Sequence, residues 1–147
     1  MHKNRIIGNN IKAMIILIMI ALIINLFFYQ PDDYSLTLNI IVGSLIYVIS
    51  GFLFLRPAKH SIISVLSVFV LLLFIAIIET LSDYIGLFST MLNPCYIEFL
   101  YDITKYNELL SVYISAIIPS LCMYFGLKMK EIVSRHVGRS KGGFFKD

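Results

Sequence analysis

The chain has 147 residues, 59% of them hydrophobic and only 14% charged, with a mean hydropathy of +0.85 and a formal net charge of +3. Soluble domains are about 45–50% apolar and about 25% charged, so these values argue against a water-soluble fold and for lipid as the solvent of much of the chain. The modest positive charge, with no basic domain to carry it, argues against a nucleic-acid partner.

Residues 1–12 carry Lys3, Arg5 and Lys12 ahead of an uncharged stretch over residues 13–31. At a rise of about 1.5 Å per residue, that stretch nearly crosses a hydrocarbon core about 30 Å thick. It is longer than the apolar region of a signal peptide, and no small-x-small cleavage site precedes Pro31, so an uncleaved first span is expected. Gln30, Pro31, Asp32 and Asp33 form a turn. The second uncharged run covers residues 34–55. Gly43, Ser50 and Gly51 lie near one face of it, where small residues let helix backbones approach closely. Ser44, Tyr47 and Ser50 are the alternative reading of that face, as a substrate path.

Arg56, Pro57, Ala58, Lys59 and His60 break the helix and supply a second basic cluster, with His60 a solvated loop residue. Residues 61–78 are again uncharged and end in Glu79-Thr80-Leu81-Ser82-Asp83. Glu79 and Asp83 are four apart on one helix face. Like charges at that spacing repel, which leaves open a solvated helix end, a raised proton affinity, a bound cation or a basic group from a partner.

Asn93 and Pro94 suit the start of a further helix. Tyr96, Phe99, Leu100, Ile103 and Tyr106 would form its apolar face; Glu98, Asp102 and Lys105 would form the polar one. It is too short to span, so it is expected to lie on the outer surface or cap the bundle. The fourth uncharged run, residues 109–127, carries Ser111, Ser115, Pro119, Cys122 and Gly126 at three- and four-residue intervals. This pattern reads as a second close-packing seam with a kink at Pro119. A basic tail follows, expected helical to about Val137 and ending at Gly138. Cys95 and Cys122 are expected at different depths, and no disulfide is expected between them.

The expected fold class is therefore an all-α integral membrane protein. Its single domain has spans near 12–30, 35–55, 61–81 and 108–128, an outer interfacial helix near 94–106 and a tail over 129–147. Only Lys105 of the twelve Lys and Arg falls on the side that holds seven of the nine acids. Cytoplasmic loops carry the excess of Lys and Arg, so both termini are expected in the cytoplasm and the chain in the plasma membrane. Tyr29, Tyr34, Tyr84, Tyr96, Tyr101, Tyr106 and Tyr113 gather at the outer boundary, where aromatic rings settle at headgroup level.

The sequence contains no GxSxG, HExxH, CxxC or Gly-rich phosphate loop, and its three histidines lie opposite the main acidic cluster. Neither an enzyme nor a cofactor or metal site is expected. The acidic, tyrosine-rich outer surface suits a cationic peptide, a toxin or a membrane-protein partner. Glu79, Asp83, Glu98 and Asp102 would steer it; Tyr96, Phe99 and Tyr101 would anchor it. In size, span count and lack of catalytic groups, the chain is similar to small bacterial immunity proteins that protect a membrane from pore-forming toxins. That resemblance implies a binding or protective role. The alternative is a small transporter or channel subunit working as a homo-oligomer.

Overall fold

The computed structural model describes residues 2–27, 33–57, 61–82, 87–92, 94–104 and 107–142, and every regular element among them is helical. The turn expected at residues 30–33 and the loop at 58–60 lie outside the described residues, apart from Asp33. In chain order, the helices are α1 (His2–Phe27), α2 (Asp33–Phe54), α3 (Leu66–Leu81), α4 (Leu87–Leu92), α5 (Pro94–Ile103), α6 (Glu108–Ser115) and α7 (Ile118–Gly142).

Two helical stretches are long and apolar enough to cross a membrane, Asn4–Ile24 and Glu108–His136, while Ile40–Phe54 and Leu66–Leu81 are apolar but shorter. On α1, a narrow stripe of Asn9, Ala13, Leu17, Ile20 and Ile24 is buried. Ile11, Ile15, Ile18, Met19 and Leu22 around it are exposed. A soluble helix would carry polar residues on that outer face.

Alternating chain direction is visible in the cross-helix bonds. At one end, the start of α1 meets the end of α2 and the start of α3, through Asn9–Arg56 and Asn10–Ser67. The end of α7 reaches the same end, where Ser61 donates to Glu131 and Lys130 donates to the carbonyls of Leu53 and Leu55. That ammonium sits on the C-terminal carbonyls of α2, where a cation is favoured by the helix dipole. At the other end, Thr80 of α3 lies 3.3 Å from the Tyr113 hydroxyl of α6.

Three boundaries differ from the sequence reading, and one helix is additional. α1 begins at His2, because nothing in residues 2–12 breaks a helix and Asn9 and Asn10 find partners within the fold. α3 begins at Leu66, since residues 61–65 wind in tight three-residue turns, with Ser64, Val65 and Leu66 donating to the carbonyls of Ser61, Ile62 and Ile63. α4 is an additional helix. α7 continues through Gly138 to Gly142. Asn107 caps α6 by accepting the Leu110 N–H at 3.1 Å. The break between α6 and α7, at residues 116–117, falls just before Pro119, whose ring would collide with the Ser115 carbonyl in a continuous helix.

α2 packs most extensively along α7. A Cβ on Gly51 would stand 2.3 Å from the Met123 carbonyl oxygen, and one on Gly126 would stand 1.9 Å from that of Val48. Only hydrogen fits at either position. The two backbones touch, which gives dispersion contacts along the seam without needing exclusion of water.

Candidate functional site

Glu79 is the deepest acidic side chain described, at 1% exposed. Between three and four turns of apolar sequence bring it to the last full turn of α3, where the start of α4 lies over it. Its Oε1 accepts the backbone N–H of Ser89 at 2.9 Å and also that of Phe88. Its Oε2 accepts the Ser89 hydroxyl. Phe88 and Ser89 are the second and third residues of α4, whose first N–H groups have no partner within the helix. Glu79 therefore acts as a remote cap, holding α4 down against α3. A solvated helix end was one of the readings of this residue; the fold instead encloses it.

Tyr96 is likewise enclosed, at 3% exposed. Its hydroxyl is 3.0 Å from the Ser44 hydroxyl on α2. Its ring lies 6.5 Å from that of Tyr47, itself buried, and the space over Gly43 admits it. Two of the three residues of the alternative substrate path, Ser44 and Tyr47, thus contact Tyr96 of α5. With Glu79 of α3 bonded to Ser89 of α4, and Tyr96 of α5 bonded to Ser44 of α2, the whole α4–α5 segment is tied to α2 and α3 by buried polar bonds. An isolated helix this short is not stable in water, so these ties and its apolar contacts keep it folded.

The other residues singled out from sequence fall as follows. Asp83 lies outside the described residues. Glu98, Phe99 and Asp102 sit on the α5 backbone, with side chains outside the described set. Tyr101 is half-buried on α5. α5 buries Tyr96, Ile97 and Leu100 and exposes Ile103, so its inner face is turned toward Ile97 relative to the expected one. Ser50, Ser115 and Pro119 are buried, and Cys122 is a half-buried free thiol. The Ser115 hydroxyl donates back to the Val112 carbonyl at 2.8 Å, so it serves its own helix and crosses to no neighbour through that bond.

Sequence reasoning passed over three sets of residues that organise the fold. Asn9 and Asn10 clamp the ends of α2 and α3 to α1. Ser89 meets Glu79. Glu131 gathers Lys128 at 2.8 Å, Arg135 at 2.5 Å and Ser61 at 3.3 Å. Adjacent asparagines at the threshold of an apolar run were the available signal for the first. No group of three or more His, Cys, Asp or Glu side chains able to hold a metal occurs among the described residues.

No protein-family model, curated protein or solved structure matches this chain.

Proposed function

We propose that the chain crosses a bilayer four times, with both termini cytoplasmic, and that α4–α5 forms an acidic outer platform that docks a cationic peptide or the basic helix of a partner protein. The role is protective or adaptor-like, in the manner of the immunity proteins it resembles. Length supports the shorter third crossing. Residues 61–65 rise about 2 Å each and α3 about 1.5 Å per residue, giving roughly 34 Å in all, enough for a core of about 30 Å. The exposed apolar faces and the inward-turned polar groups are what lipid requires.

The observation that carries the docking role is the anchoring of α4–α5 through Glu79 and Tyr96. A segment fixed in this way presents a preformed surface and loses little ordering entropy on binding. On this reading the residues divide by role. Glu79 and Tyr96 hold the platform, leaving Asp83, Glu98, Phe99, Tyr101 and Asp102 as the contact set.

The test is binding of a synthetic Lys/Leu amphipathic peptide to the full chain in zwitterionic nanodiscs. Glu98→Lys with Asp102→Lys should weaken binding by about tenfold or more, with an unchanged unfolding midpoint, because steering charges act across the interface. Wild-type affinity in the double variant would remove the docking role.

A further inference from the structure

The opposite end of the bundle carries a feature that the docking role does not use. Asn9, buried, donates from Nδ2 to the Arg56 carbonyl at 2.7 Å and accepts the Arg56 N–H on Oδ1 at 3.0 Å. This two-bond clamp fixes the backbone just past α2 against α1. It brings Arg56 to the face of α1 that carries Arg5 and Lys12, seven positions or about two turns apart. Together with Asn4, Gly8 and Asn9, the three cations line a cleft of about 470 Å³. That is the size of a small-molecule site, about 300–1,000 Å³.

Two further observations point to a ligand. Arg5, Lys12 and Arg56 are all exposed, and among the described residues no carboxylate pairs with any of them; the ion pairs described are both at Glu131. The floor of the cleft is also open, since a Cβ on Gly8 would meet nothing within 4 Å. Three cations held around an unfilled space repel one another unless an anion joins them. Guanidinium groups match phosphate oxygens in pairs. Ile7 and Ile11 are exposed on the same stretch of α1, outside the lining of the cleft, so this part of the helix presents apolar surface on another face.

We propose that this cleft binds a phosphate group, with the headgroup of an anionic phospholipid as the source, because the exposed Ile7 and Ile11 give the same level of α1 an apolar surface suited to lipid. The lipid source rests on the membrane reading above; the phosphate chemistry does not. Binding would tie the ends of α1 and α2 to the leaflet on the side of the positive residues.

The test is native mass spectrometry of the full chain in detergent micelles with dioleoylphosphatidylglycerol or dioleoylphosphatidylcholine. Wild type should retain one phosphatidylglycerol in preference to phosphatidylcholine. Each of Arg5→Gln, Lys12→Gln and Arg56→Gln should cost roughly fivefold, and the triple variant about a hundredfold. Gly8→Leu, which removes no charge and meets open space, should cost about tenfold by filling the cleft. Neutralising Arg139, Lys141 and Lys146 should change nothing. Millimolar inorganic phosphate separates the sources: displacement of the lipid supports a free-phosphate site, and persistence supports a headgroup site. Retention within twofold of wild type in both the triple and Gly8→Leu variants would overturn the proposal, as would equal loss on neutralising the tail. Carbonate extraction of native membranes keeps the two readings apart. Release of the protein defeats the membrane reading; a retained protein with no lipid preference defeats only this site.

Discussion

The two ends of the bundle handle polar side chains in opposite ways. At the α4–α5 end, the carboxyl of Glu79 is enclosed and saturated by Phe88 and Ser89, and the Tyr96 hydroxyl meets Ser44. At the Asn9 end, the amides are equally saturated, but Arg5, Lys12 and Arg56 surround an open cleft. One end converts charge into architecture, and the other uses neutral amides for architecture and leaves charge available. Where hydrocarbon surrounds helices, burial from water adds little to their association, so directional bonds at the ends and close contact at the middle must hold them. The comparison teaches that an ionisable residue is not thereby a contact residue. What matters is whether its bonds are already made inside the chain.

Breaking the shared middle should disturb both ends together and most strongly. Gly126→Leu would push α7 off the Val48 carbonyl. We expect a loss of about 3 kcal/mol or more, read as a lowered SDS-unfolding midpoint in mixed micelles. Next is the closed end. Glu79→Ala orphans the Ser89 hydroxyl and two N–H groups, a cost of about 2–4 kcal/mol in the same assay, with proteolysis appearing first in α4–α5. Glu79→Gln retains an oxygen for the N–H pair and should cost about 1 kcal/mol. Asn9→Ala releases the Arg56 backbone at both its N–H and carbonyl, for about 1–3 kcal/mol, and should also weaken phosphatidylglycerol retention. Smallest is Arg56→Gln, an exposed side chain without a described partner, whose midpoint should stay within about 0.5 kcal/mol of wild type while lipid retention falls. A stability loss there as large as that of Asn9→Ala would erase the distinction between the ends.

Much of this architecture was legible from residues alone. The uncharged runs gave the long helices, Asn93-Pro94 the start of α5, and Pro119 the break between α6 and α7. Gly51 and Gly126 already suggested a close seam, although spacing alone does not say which helix answers which. What stayed hidden depends on contacts between distant residues. α4 is six residues long, too short for a periodicity, and exists where Glu79 caps it from another helix. The helical start of α1 was masked by its charges, because a basic leader reads as a loop until Asn9 and Asn10 are seen to have partners more than forty residues away. Glu79 was picked out for its chemistry, but its burial depends on how the chain folds back over it.

Both proposed sites depend on which compartment each end of the bundle faces. In a Cys95→Ser, Cys122→Ser background, single Glu108→Cys and His136→Cys variants can be labelled in intact cells with a membrane-impermeant maleimide. We predict that Glu108→Cys labels from outside and His136→Cys labels only after lysis. Labelling of His136→Cys in intact cells would contradict the account, placing the cationic cleft outside and the α4–α5 platform within the cell.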